Sequence, residues 1–114
     1  MSTPAEISVE RRGGTVIARM GGEMDMSNAA HVRDELLASV PNDALALVVD
    51  VGAMRYLDSA GIEVVFDLAR RLGRRRQEMR MVVPAGSPLR RVLELTDVGA
   101  AAPLHDSLDS ALAG

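Results

Sequence analysis

The stretch of sequence that decides the fold is Ala44-Leu45-Ala46-Leu47-Val48-Val49-Asp50-Val51, which is apolar at every position but one. A strand that is buried on both faces has this character, and such strands occur in parallel sheets with helices above and below. We therefore expect residues 44–51 to form a central strand, with Val48 and Val49 fully covered.

Before this strand, two short β-like runs at residues 7–12 and 15–20 flank Gly13-Gly14. Glycine accepts the positive φ angles of tight hairpin turns, so the two runs predict a β-hairpin. We expect its second strand to end at Gly21-Gly22. Ser27 is then expected to cap a helix that continues to about Val40, because a serine oxygen at this point can accept from a first-turn amide.

After the strand, residues 52–58 are expected to form a connection, and the pattern predicts a helix from about Ser59 to Arg74. A short strand at residues 79–83 follows. Ser87-Pro88 predicts the start of a third helix, because proline suits the first helical position. A last short strand at 103–105 and a helix capped by Asp106 or Ser107 complete the chain.

The element order β-β-α-β-α-β-α-β-α predicts one α/β domain over residues 1–114, with an ordered core at about 6–113. Repeated β-α units after a hairpin give a mostly parallel β-sheet with an N-terminal antiparallel edge hairpin and about four helices. A length of 114 residues suits one hydrophobic core.

Composition narrows the classes of function. The net charge of −3 gives no general electrostatic reason for direct nucleic-acid binding. The chain has no cysteine and no lysine, which excludes thiolate metal sites and phosphate-binding loops that need a lysine. No apolar run approaches the roughly 18 residues of a spanning helix, and no signal peptide is visible, so we expect no membrane insertion and a cytoplasmic protein.

The segment Asp58-Ser59-Ala60-Gly61 lies between the predicted central strand and the next helix. In open parallel sheets, ligands and partners meet the protein at this edge. A serine here lies at the positive end of a helix dipole, and the small residues Ala60 and Gly61 after it allow another protein to approach closely. These features suit a phosphorylation site. Local spacing alone also fits a plain N-cap serine.

At this point the chain resembles the STAS family, and within it the bacterial anti-sigma factor antagonists. Asp58-Ser59-Ala60-Gly61 matches the Asp-Ser-small-Gly phosphoacceptor motif of that family. Gly22-Glu23-Met24-Asp25 matches its Gly-Glu-Leu-Asp element after the second strand, about 33 residues earlier. Asp50 matches a further recurrent position, although we interpret its role as structural, holding the loop after its strand.

The resemblance implies a partner switch. When Ser59 is unphosphorylated, the domain would bind an anti-sigma factor serine kinase with a histidine-kinase-like ATPase fold, which then releases a sigma factor. The kinase would phosphorylate Ser59, and a phosphatase would reverse this, so the chain would be a substrate and ligand rather than an enzyme. The resemblance implies no cofactor and no metal. The contact surface that it implies comprises Asp25, Met26, Ser27, Asp58, Ser59, Ala60, Gly61 and Glu63.

Glu63 departs from the family, which often has a small residue at this position. Glu63 and Asp67 are like charges four residues apart on one helical face, an arrangement that costs an isolated helix about 0.2–0.5 kcal/mol. We therefore expect the extra carboxylate to influence which partner fits. The arginines at 70, 71, 74, 75, 76 and 80 form a basic cluster that we interpret as a solvated helix end.

Two other functions remain open from the sequence. The chain could be a non-catalytic STAS scaffold or an accessory subunit of a transport or stress-sensing complex, in which Ser59 is never phosphorylated. It could also be a nucleotide-binding module.

Overall fold

The computed structural model describes residues 4–114, so the first three residues of the predicted domain lie outside the described part. Within that part no helix is long and apolar enough to cross a membrane. A short 3₁₀ helix lies at Val98–Ala100. The strands and helices in chain order are β1 Glu6–Arg12, β2 Thr15–Met24, α1 Ala29–Ala38, β3 Ala46–Leu57, α2 Ser59–Arg74, β4 Glu78–Val82, α3 Arg90–Leu95, β5 Leu104–His105 and α4 Leu108–Ala113.

The five strands form one sheet in the order β1-β2-β3-β4-β5. The hairpin strands β1 and β2 are antiparallel, and every later neighbour pair is parallel. The apolar stretch forms β3 at the centre of the sheet, where Val48 is 0% and Val49 is 2% exposed. The predicted α/β class, the edge hairpin and the covered central strand are therefore confirmed.

The two valines point to opposite faces of the sheet, as successive strand residues must. Val49 belongs to the large core under α1, α2 and α3, together with residues such as Leu36 and Leu68. Val48 joins Ile17 in a smaller cluster that α4 covers with Ala111. This double burial explains why the sequence of β3 is almost continuously apolar.

Two predicted strand ends are wrong. β2 continues through Gly21-Gly22 to Met24, and β3 continues through the predicted connection to Leu57. The two strands remain paired beyond Arg19 with shifts of register, so the glycines mark an irregularity within the strand rather than its end. The Asp50 carboxylate accepts a hydrogen bond from the Gly52 backbone N–H at 2.9 Å, which supports its structural interpretation.

Two predicted helix caps are also wrong. α1 begins after Asn28 rather than Ser27, because residues 25–28 first form a turn that is closed by the Ala29 N–H donating to the Asp25 carbonyl, and the Ser27 hydroxyl donates to the Asp25 carboxylate within that turn. α3 begins at Arg90, and Ser87 only closes the preceding turn by accepting from the Leu89 N–H at 3.1 Å. By contrast, α2 spans the predicted residues, and Ser107 caps α4 through the Ser110 N–H.

Candidate functional site

The two sequence motifs meet at one edge of the sheet. Met24 and Leu57 are register partners at the ends of the parallel strands β2 and β3. The Asp58 N–H donates to the Met24 carbonyl at 3.3 Å. Asp25 and Asp58 therefore follow directly after neighbouring strand ends. Both strands are longer than predicted, and this extra length brings the two motifs to the same edge of the sheet.

Ser59 is the first residue of α2 and is exposed. The helix cap comes from Asp58, whose Oδ1 accepts from the N–H groups of Ala60 at 2.9 Å and Gly61 at 3.3 Å. Aspartate is a favoured N-cap residue, and its charge suits the positive end of the helix. The alternative that Ser59 is itself the N-cap is therefore wrong, and its hydroxyl lies at the solvent-facing start of the helix.

Gly61 allows the first turn of α2 to pack closely against the ends of β2 and β3. The residue is buried, and a Cβ at this position would lie 2.2 Å from Leu57 Cδ1 and 3.3 Å from Met24 Cε. Real Cβ atoms do not approach so closely, so any larger residue would force the Leu57 side chain to shift. Glycine at this position lets the first turn of the helix pack on the ends of the two strands that carry the motifs.

The Asp25 loop is held by its own hydrogen bonds. Asp25 Oδ1 accepts from the Ser27 hydroxyl at 2.5 Å and from the Ser27 N–H at 2.8 Å. Asn28 supports the loop from the other side, because its Oδ1 accepts from the Asp25 N–H and its amide donates to the Glu23 carbonyl. Hydrogen bonds from the Ser27 side chain, then from the backbone N–H groups of Ser27 and Asn28, lower the pKa of Asp25.

The residues of the expected contact surface differ in exposure. Met26 is 83% exposed, and Asp25, Asp58 and Ala60 are half-buried, while Gly61 is buried and can present little surface to a partner. The remaining exposed members are Ser27, Ser59 and Glu63. The structure thus brings the two loops together, and their role in partner binding stays a prediction.

A groove of about 680 Å³ begins beside these loops and runs between α1 and α2. Met26, Ala60 and Glu63 line the end near Ser59, and Arg33 and Asp67 lie among the lining residues farther along. Arg33 is not among the site residues predicted from the sequence. Its spacing of four residues from Ala29 on α1 is the pattern that could have indicated a common helical face.

The basic cluster lies at the exposed end of α2, as predicted, but some of its arginines also form ion pairs and hydrogen bonds. The Asp67 carboxylate pairs with Arg70 at 3.2 Å and with Arg71 at 3.0 Å, and Arg33 lies 3.9 Å away. These arginines offset the repulsion expected between Glu63 and Asp67. Arg75 donates to the Val40 carbonyl at 2.6 Å and so holds the end of α2 to the chain after α1.

Comparisons with known proteins agree with this architecture. A model of the STAS domain matches residues 6–111. The anti-sigma-F factor antagonist RsfB of Mycobacterium tuberculosis is 30% identical over 117 residues, which cover 100% of this chain and 93% of the relative.

Solved structures show the same fold. The crystal structure of an anti-sigma factor antagonist from Mycobacterium paratuberculosis superposes with a TM-score of 0.84 at 29% identity, covering 99% of this chain and 97% of that one. SpoIIAA of Bacillus in its phosphorylated form has a TM-score of 0.66 at 19% identity and covers 95% and 97% of the two chains. With the family model matched over nearly the whole chain and both motifs at one sheet edge, this protein belongs to the STAS domain family.

Proposed function

We propose that this protein is an anti-sigma factor antagonist that binds an anti-sigma factor kinase when Ser59 is unphosphorylated and is released when Ser59 carries a phosphate. The observation that carries the proposal is the exposed position of Ser59 at the start of α2, beside an Asp58 that already caps the helix. The names of relatives similar along the whole chain support the same partner class. The partner would be an anti-sigma factor with a histidine-kinase-like ATPase fold, and a phosphatase would restore the binding form.

The charge that phosphorylation adds near Ser59 is large enough to prevent partner binding. Phosphorylation adds about −1.5 to −2 charges next to Asp58 and close to the loop that carries Asp25. A 100-fold loss of affinity requires only about 2.7 kcal/mol, and unmatched charge in a close interface costs several kcal/mol. The positive end of the α2 dipole offsets part of the new charge within the free protein. We therefore expect the phosphorylated domain to stay folded while docking fails.

The test is a phosphorylation assay with purified proteins. Each ATPase-type anti-sigma factor encoded in the source genome is incubated with this protein and ATP, and the modified residue is identified by mass spectrometry. We expect phosphate on Ser59 alone, and Ser59→Ala should abolish labelling while binding the same anti-sigma factor nearly as well as the wild type. Labelling that persists on Ser59→Ala, at Ser27 or Ser87 for example, would overturn the assignment.

The same assay separates the proposal from a scaffold role. A scaffold or an accessory subunit would bind its complex with equal affinity before and after kinase treatment, or would receive no phosphate from any of the anti-sigma factors. Either result, obtained with kinases that are shown to be active, would contradict the proposed phosphorylation switch.

A further inference from the structure

The groove between α1 and α2 has different charges at its two ends. The end near Ser59 is acidic, because Glu63 lines it and Asp58 and Asp25 lie beside it. The far end is lined by Arg70 and Arg71. Their side chains are 62% and 42% exposed, and both pair with the single carboxylate of Asp67. One carboxylate shared by two guanidinium groups leaves positive charge available to a further acidic group.

Arg33 adds to this basic end from α1. Its guanidinium lies 3.0 Å from Asp34 and 3.9 Å from Asp67, and its side chain is 30% exposed. Because Arg33 pairs closely with Asp34, it neutralises little of the negative charge of Asp67. It does bring a third guanidinium to the carboxylate with which Arg70 and Arg71 pair. Arginine forms bidentate pairs with carboxylates, so this geometry suits recognition of an acidic side chain.

The stretch between the two ends suits close approach of a helix. Small side chains, Ala29, Ala30 and Ala60, lie among its lining residues, and Met26 stands 83% exposed at its mouth. Small residues allow a third helix to pack near the usual interaxial distance of about 8–10 Å. From Ser59 to Arg70 the helix rises about 16 Å, which corresponds to about three turns of a docked helix.

We propose that this groove receives an α-helix of the anti-sigma factor whose acidic end lies against Arg70 and Arg71. This inference rests on the proposed function and extends it, because it adds a second contact region away from Ser59 that selects the partner by charge. The acidic end near Ser59 and the basic end near Arg70 disfavour a helix with the opposite charge order. Glu63, at the acidic end of the groove, contributes to the same selection by charge.

The test uses charge reversal with a matched control. Arg70→Glu/Arg71→Glu removes the basic end of the groove, whereas Arg74→Glu/Arg91→Glu makes the same change of net charge at two exposed arginines that do not line the groove. Binding to the anti-sigma factor that phosphorylates wild-type Ser59 is measured by titration calorimetry at low and high salt. We expect the groove variant to lose about 10-fold or more in affinity at low salt and the control less than about 3-fold, with the difference shrinking at high salt because salt screens exposed charges.

A second variant and a stability measurement distinguish loss of binding from loss of folding. Arg70→Gln/Arg71→Gln avoids new negative charge beside Asp67 and should lose less affinity than the glutamate pair, and thermal unfolding of each variant shows whether the fold is retained. Equal affinities for the groove and control variants would overturn the inference and leave the proposed function standing. If the wild type bound none of the anti-sigma factors, the proposed function would fail and this inference with it.

Discussion

The Asp58 backbone N–H donates to the Met24 carbonyl at 3.3 Å, which joins the start of the Ser59 helix to the strand that leads into Asp25. The two motif loops are therefore held at neighbouring ends of β2 and β3 and are presented together. We expect a partner that docks on this edge to meet both loops at once, so that charge added at Ser59 would act at a contact that includes both.

Ser59→Asp should weaken binding to the anti-sigma factor without unfolding the protein. The loss should be smaller than that caused by phosphorylation, because aspartate adds one charge where phosphate adds about −1.5 to −2 and offers fewer acceptor oxygens. Exposed substitutions at a helix start usually change stability by less than about 1 kcal/mol. Titration calorimetry and thermal unfolding on the same samples measure the two effects separately. Equal affinity for wild type, Ser59→Asp and phosphorylated protein would contradict an electrostatic switch.

Gly61→Ala should lower the free energy of unfolding by about 1–3 kcal/mol, because its Cβ would lie 2.2 Å from Leu57 Cδ1 in a packed region. Gly73→Ala is the matched control in the same helix, since a Cβ there meets nothing within 4 Å. Alanine favours helix over glycine by up to about 1 kcal/mol, so the control should be slightly stabilised. Urea unfolding of both variants checks the prediction. A stabilised Gly61→Ala would mean that Leu57 moves aside without cost.

Gly22→Ala should also destabilise the fold, by about 1–3 kcal/mol. Gly22 has φ +81°, and a Cβ there would lie 2.1 Å from the Pro4 carbonyl oxygen. The neighbouring Gly21→Ala is the control, because its Cβ would make only ordinary contacts at 3.7 Å with Ala53. Both variants are compared by thermal unfolding. A similar melting temperature for the two variants would contradict the prediction, because it would mean that neither the positive φ nor the contact with Pro4 costs stability.

Ser27→Ala should raise the pKa of Asp25, because the Ser27 hydroxyl is the leading cause of its lowered pKa. NMR titration of the Asp25 carboxyl in both proteins measures the change. A carboxyl whose pKa is lower in the folded state stabilises the fold above its unfolded pKa and loses that contribution as the pH falls through the folded pKa. Ser27→Ala should therefore narrow the difference in stability between neutral and acid pH. An unchanged Asp25 titration would show that the backbone N–H groups suffice.

Much of the fold could be predicted from local sequence. Continuous apolarity of residues 46–49 requires burial on both faces, which fixes a central strand with helices on either side. The bounds of α2 were predictable because Ser59 begins a helical pattern that continues to Arg74. The two motifs were visible as short strings, and their spacing along the fold indicated the family.

The tertiary structure decided what local patterns could not. Gly21-Gly22 reads as a strand end, yet pairing with the far part of β3 continues β2 to Met24, and only this long-range pairing places Asp25 beside Asp58. Ser27 is predicted as a helix cap, yet the turn at residues 25–28 delays the helix to Ala29, and the Ser27 hydroxyl donates to the Asp25 carboxylate inside that turn. Likewise, the groove itself exists because α1 packs beside α2, which brings Arg33 to within 3.9 Å of Asp67. The sequence by itself determined most of the elements and showed the two motifs, whereas pairing between distant segments extended β2 and β3 and so brought the two motifs to one edge of the sheet.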